Sequence, residues 1–437
     1  MSGLAGRPAL ALLGGKLTRD IGYSLGSFAV LALSGLVINL VITWLRDAAA
    51  LGVFNQSYAV YILISQIATF GLHYSVLRYS AVHDSDANER GQVLLNAAAC
   101  ALLGGFATAG LTIMCEPLFA RAFDSPATAA AIRNAAVGLC LFPLNKVLLA
   151  HLNALRHMRA YSLLQAGRYT TIMVLVAVLC TTALPIETAT FAFFAAEVVT
   201  AIAAVLYLRA QGELSRLAFS RSWTRTHLRF GGKALVAGTF AEFNSRVDVL
   251  VIGFFMADRA VGIYSFAAML ADGLYHVLSM VRLNFNPLLV RVLRDRDWEQ
   301  ARDLLRRTRR LVYPVILALT VLVILAFWTF TVQVMPHKGL VEGLPSLVIL
   351  LSTLTLVSAF VPFDNLLLVS GHPGYQTLQQ FATVLANATF GVLLLPWFGI
   401  EGVAAGTAAS YVVAVVALIV MARRVVGWNL LTNSFRQ

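Results

Sequence analysis

The chain has 437 residues, of which 59% are hydrophobic and only 12% charged, and its mean hydropathy is +0.77. This excludes a soluble domain and describes a protein that crosses a membrane many times. The formal charge of +12 would suggest nucleic acid in a soluble protein, but the position of the cations argues for topology instead, and no nucleic-acid partner is expected.

Apolar runs of about 20 residues predict an all-α integral membrane protein with twelve helices. They lie near 21–45, 52–76, 93–115, 132–153, 160–184, 187–208, 232–256, 261–285, 311–335, 345–370, 375–397 and 400–422. The first follows Arg7, Lys16 and Arg19 in a tail spanning 1–20, is too long for a signal-peptide core and precedes no small-residue cleavage site, so it reads as a retained span. Of the 33 Lys and Arg, five (Arg46, Arg121, Arg133, Arg259, Lys338) fall on one face and four (Lys146, Arg168, Arg246, Arg282) inside helices; the rest share the face of both termini. The positive-inside rule therefore puts both termini, including the tail at 423–437, in the cytoplasm. Cys100, Cys115, Cys140 and Cys180 have no metal-ligand spacing and read as packing residues, so no metal or cofactor is expected.

The halves repeat. Leu51-Gly52-Val53-Phe54 after helix one aligns with Val261-Gly262-Ile263-Tyr264 after helix seven, Pro143-Leu-Asn145-Lys146 in helix four with Pro362-Phe-Asp364-Asn365 in helix ten, and Ile186-Glu187 with Ile400-Glu401. Three matches in one order, six helices apart, predict an N-lobe at 21–208 and a C-lobe at 232–422. The lobes are related by an axis along the membrane normal, with a substrate cavity between them. A basic loop at 209–231 joins the lobes, and 287–310 reads as a basic amphipathic helix on the inner membrane surface, attracted to anionic lipid. No phosphate-binding loop or soluble nucleotide-binding stretch occurs, so transport must draw on a gradient or on a partner's ATPase, and no enzyme is expected.

The most charged span is Gly231 to Met256, which carries Glu242, Arg246 and Asp248 in its middle third. Each intramembrane charge costs roughly 2.5–3.5 kcal/mol, so the three cannot face lipid. On a continuous helix Glu242 and Arg246 share a face and can pair, while Asp248 points elsewhere.

Asp248-Val-Leu-Val-Ile-Gly-Phe-Phe followed by Val261-Gly-Ile-Tyr-Ser-Phe-Ala resembles the helix-seven to helix-eight signature of bacterial polysaccharide (O-antigen, Wzx-type) flippases, within the multidrug/oligosaccharidyl-lipid/polysaccharide exporter superfamily. The Pro-x-Asn/Asp pattern and Gly399-Ile-Glu-Gly-Val-Ala-Ala resemble the same family. The resemblance implies a MATE-like flippase of the bacterial inner membrane, which carries polyprenyl-pyrophosphate-linked glycans between leaflets by alternating access for lipopolysaccharide or other surface polysaccharide. A polysaccharide polymerase or ligase is then the expected partner, beside the membrane lipids.

An anionic pyrophosphate needs intramembrane cations. Arg246 is the first candidate, against a reading in which Glu242 merely neutralises it. Lys146 and Arg168 are placed to reach a phosphate from the inner leaflet, or equally to snorkel; Arg282 is expected to snorkel. Coupling to protons or sodium needs a carboxylate, and Asp248, Asp272, Glu197 and Glu242 are candidates, with His276 one turn from Asp272. Pro143 and Pro362 are hinge candidates or static adaptations. The rival within the superfamily is a proton- or sodium-coupled multidrug cation antiporter; a membrane-embedded transferase or glycan-assembly scaffold is a third reading.

Overall fold

A computed structural model describes residues 15–435; Arg7 and most of the expected N-terminal tail lie outside the described residues. Sixteen helices follow in order: α1 (Gly15–Leu45), α2 (Ala48–Thr69), α3 (Leu72–Val82), α4 (Ala87–Met114), α5 (Glu116–Ala122), α6 (Pro126–Ala136), α7 (Phe142–Ala154), α8 (Met158–Thr181) and α9 (Phe191–Ala210). Then come α10 (Arg221–Asn244), α11 (Val247–Phe255), α12 (Asp258–Arg294), α13 (Trp298–Thr329), α14 (Leu344–Val357), α15 (Leu366–Val369) and α16 (Pro373–Val425). A two-residue antiparallel hairpin, β1 (Trp428–Asn429) with β2 (Ser434–Phe435), closes the chain.

Among the described residues nine helices are long and apolar enough to cross a membrane, or ten when α6 and α7, bent by 43°, count as one span. The expected count of twelve is not reached because several spans are interrupted or fused. The 53 residues of α16 are too many for one crossing of a roughly 30 Å hydrocarbon layer, and they form two helices that pack on each other, with Gly402 and Gly406 against the backbone at Leu394 and Gly391. The break is at Gly399, whose φ of 56° and ψ of −133° are open only to glycine. The span expected at 232–256 is likewise split into α10 and α11.

The chain divides into two compact units. The first holds residues up to Val41, Tyr61–Leu118 and Ala129–Gly238; the second holds Ile42–Val60, Phe119–Thr128 and everything from Thr239 on. In the first, Leu72, Val76, Val93, Leu94, Val147, Leu152 and Leu208 form the buried core. The basic connection expected at 209–231 is partly helical, since α10 begins at Arg221. Its loop is pinned at Glu213, whose carboxylate accepts Nε and Nη2 of Arg90 at 3.1 and 2.9 Å. His151 beside it and the Arg90 guanidinium hold the Glu213 carboxyl down at about 2.

In the second unit the core joins Leu289, Val292 and Leu305 to Phe363, Leu366 and the hairpin's Trp428. The stretch 287–310, read as one basic amphipathic helix, is divided between two helices. The segment is the end of α12 and the start of α13, joined by a turn in which Arg296 takes φ 52° and Asp297 caps α13 by accepting the Gln300 N–H at 3.0 Å. Leu289, Val292 and Leu305 are buried in one cluster with the hairpin's Trp428, while Leu288 and Val290 stay exposed.

The repeated glycines meet in this second unit. A Cβ on Gly52 would run into the Asp258 carbonyl, and one on Gly262 into the Ala48 carbonyl. Each obstructing carbonyl lies one turn before the opposite glycine, so the first turns of α2 and α12 cross reciprocally, as equivalent segments of an internal repeat should. Asp258 fastens the crossing by accepting the Ser125 and Thr128 hydroxyls at 2.6 and 2.9 Å. We expect Gly52→Ala and Gly262→Ala each to destabilise by about 1–3 kcal/mol through overpacking, seen as a lower melting temperature in detergent. Gly110→Ala, with open space around it, serves as the control and should not lower it.

Candidate functional site

In the first unit a buried polar centre forms where α7, α8 and α9 meet. Glu197 on α9 is 1% exposed and Arg168 on α8 is 7% exposed, and their ion pair is 2.5 Å. Asn145 Nδ2 donates to Glu197 Oε2 at 2.7 Å and to the Glu197 carbonyl at 2.8 Å, while the Tyr61 hydroxyl donates to Oε1 at 3.4 Å. Two expected roles therefore meet in one pair: Arg168, a candidate for phosphate, and Glu197, a candidate for cation coupling, neutralise each other. The Phe142 ring gathers the cations, with Arg168 at 4.8 Å and Lys146 Nζ at 5.5 Å from its centroid. Lys146 is the more accessible of the two.

Pro143 sits in the first turn of α7, directly after the 43° bend, where its missing N–H costs no helical bond. Pro362 occupies the equivalent interruption, a short 3-10 turn between α14 and α15. Its neighbour Asp364 accepts Arg282 Nη1 at 2.8 Å and Gln379 Nε2 at 2.8 Å. Arg282, expected to snorkel, is ion-paired with Asp364 within the second unit through a charge-assisted bond. Asn145 and Asp364, matched by the repeat, play matching parts: each ties the helix after a proline break to a buried or half-buried charged neighbour.

The break in the span containing Glu242, Arg246 and Asp248 overturns their expected geometry. Arg246, at φ −134° and ψ −6°, is the residue before α11, so Glu242 and Arg246 do not lie one turn apart on a common helix. Among the described residues no ion pair joins them. Arg246 instead lies over the Tyr58 ring at 5.0 Å. Asp248 Oδ2 accepts the Tyr264 hydroxyl at 2.7 Å, and Oδ1 accepts the Val249 N–H at 2.8 Å. From Tyr264 the contacts continue to Thr407 at 3.4 Å, from Thr407 to Asn387 Oδ1 at 3.2 Å, and from Asn387 to the Asn244 carbonyl at 3.4 Å.

These groups put one carboxylate and several neutral oxygens around the α10–α11 break, the donor type that suits a hard cation. Asn244 Oδ1 is buried there without a hydrogen-bond partner among the described residues. Among those residues no group of three or more His, Cys, Asp or Glu could hold a metal. Asp272 and His276 are exposed on α12 and within electrostatic reach of Arg246, with Asp272 also sensing Asp248. An exposed carboxylate at mid-span is too costly to face lipid, so this side of the unit borders water.

Residues 17–292, more than half of the chain, match the family described as polysaccharide biosynthesis protein. The chain belongs to that family. Comparison with curated proteins finds no match. Among solved structures, an inward-facing multidrug resistance MATE transporter of the MOP superfamily matches with a TM-score of 0.75 at 16% identity, over 90% of this chain and 94% of that one. The lipid II flippase MurJ, in an inward closed conformation, matches at 0.72 and 12% identity, over 92% and 87%. An outward-facing MATE transporter of the same superfamily matches at 0.60 and 17% identity, over 98% and 100%. The fold is that of MOP superfamily transporters and flippases, as the resemblance implied.

Thr407 and Asn387 escape a search for charges because each is neutral. The available signal was the placement of Asn387 and Thr407 inside otherwise apolar runs, on either side of Gly399. We expect Glu197→Leu alone to cost about 3–5 kcal/mol by stranding the Arg168 guanidinium, and Arg168→Leu with Glu197→Leu together to cost markedly less. Thermal unfolding of the three proteins checks this; an additive double variant contradicts a buried mutual pair.

Proposed function

We propose that this protein is a flippase that moves polyprenyl-pyrophosphate-linked oligosaccharide across the bacterial inner membrane for surface polysaccharide synthesis. It would work by alternating access of two six-helix lobes, 21–208 and 232–422, with both termini cytoplasmic. The observation that carries this reading is Arg246. It sits in the break of an apolar span, against an aromatic ring, with no carboxylate ion-pair partner among the described residues. A cation so held keeps its charge for a phosphate, which cannot cross hydrocarbon unpaired. Lys146 is the second ligand in this reading. Arg168, committed to Glu197, contributes by fixing the Phe142 platform on which Lys146 rests. The family's description as polysaccharide biosynthesis supports the cargo class.

The oxygen-rich surroundings of Asp248 favour a coupled cation, sodium or a proton, as a second cargo. Asp272 and His276, exposed nearby, would conduct it, with the partly exposed Glu242 near the break as a further carboxylate. A polymerase or ligase would receive the glycan on the far side. The rival, a multidrug cation antiporter, is favoured by one observation, the exposed mid-span carboxylate of Asp272.

Reconstituted vesicles carrying a lipid-linked oligosaccharide separate the two. Loss of a charge-assisted phosphate contact costs about 1.5–3 kcal/mol, so Arg246→Ala should slow flipping roughly tenfold to a hundredfold, and Asp248→Asn should abolish its dependence on a cation gradient. Wild-type flipping by Arg246→Ala contradicts the phosphate role; cation-driven dye export without any flipping moves the assignment to the antiporter.

A further inference from the structure

The first unit holds a basic cleft of about 340 Å³ that the proposed transport cycle does not use. It is lined by Arg19 and Tyr23 at the start of α1, by Arg156, His157 and Arg159 at the α7–α8 turn, and by Tyr207 in the last turn of α9. Three exposed arginines, Arg19, Arg156 and Arg159, line it. The shape is built. The turn that ends α7 closes with Arg156 N–H to Asn153 O and His157 N–H to Leu152 O, both at 2.9 Å, and it holds Arg156 at φ 58°, a conformation usually left to glycine or asparagine. His157 Nδ1 meets the Tyr207 hydroxyl at 2.9 Å, bracing the turn against α9. Arg19 and Arg156 each make a further contact. The 24-residue α8 starts at the cleft without a side-chain cap, adding its amide dipoles to the positive charge.

We propose that this cleft binds the phosphate of a lipid headgroup at the membrane surface. Three arginines match phosphate oxygens by charge and by planar donor geometry. The volume, at the lower end for ligand pockets, suits a headgroup better than an oligosaccharide. Leu25 and Phe28 on α1 and Leu163 on α8 are exposed by 46%, 49% and 60%, apolar surface that suits an attached lipid chain. The proposal holds whichever cargo the protein moves. Two lipids share this chemistry: bulk anionic phospholipid and polyprenyl pyrophosphate.

The test uses the full-length protein in phosphatidylcholine nanodiscs containing a small fraction of phosphatidylglycerol or undecaprenyl pyrophosphate, or with sodium pyrophosphate in solution, and retained ligand is read by native mass spectrometry. R156Q/R159Q is compared with wild type and with R221Q/R225Q, which removes two charges from the start of α10. Two surface cations lost should weaken lipid retention about thirtyfold in the cleft variant, with the α10 variant like wild type. Preference for undecaprenyl pyrophosphate identifies cargo capture, and equal retention of both lipids identifies a bulk-lipid site. Wild-type retention by R156Q/R159Q, or equal loss in both variants, overturns the proposal in favour of diffuse surface charge. Preference for soluble pyrophosphate over either lipid overturns the lipid assignment. If the double variant fails to fold, R159Q alone should show a smaller loss in the same direction.

Discussion

A charge inside a bilayer must be paired, hydrated or placed on an aromatic face, and this chain uses all three solutions. Arg168 and Glu197 are buried together. Arg282 is met by Asp364. Asp272 stays exposed to water, and Arg246 rests on Tyr58. Which solution each residue takes decides its availability: a buried pair fixes helices and offers little to a ligand, whereas a cation on a ring can still turn toward an anion. The functional assignment follows from that sorting more than from the number of intramembrane charges.

The internal repeat gives the sorting its frame. Asn145 and Asp364 occupy matched positions after proline interruptions, yet one is neutral and serves a deeply buried ion pair, while the other is itself half of a pair. Gly52 and Gly262 hold matched positions too, and here the likeness is geometric, because neither can carry a side chain where the first turns of α2 and α12 cross.

The helical membrane class and the fold were legible in the sequence, because apolar length and glycine or proline placement are local signals. The interruptions were less legible. Nothing in Phe243-Asn-Ser-Arg246 forbids a continuous helix, and the break that separates Glu242 from Arg246 arises where Asn244, Arg246 and Asp248 find partners on other helices: Asn387, Tyr58 and Tyr264. The stretch at 287–310 was only partly legible, for a related reason. Its leucines have a helical spacing that fits a lipid surface equally well, and only the hairpin around Trp428, distant in sequence, shows what Leu289 and Leu305 bury against. Pairing of Arg168 with Glu197 was hidden in the same way, since each residue alone had a plausible separate task.

The account rests on an arginine at the α10–α11 break that engages a pyrophosphate. Native mass spectrometry of the protein drawn gently from its own membrane, wild type beside Arg246→Ala, tests this most directly. The account predicts a co-purifying polyprenyl-pyrophosphate glycan on the wild type and its loss from the variant. Equal amounts of that lipid on both proteins would contradict it.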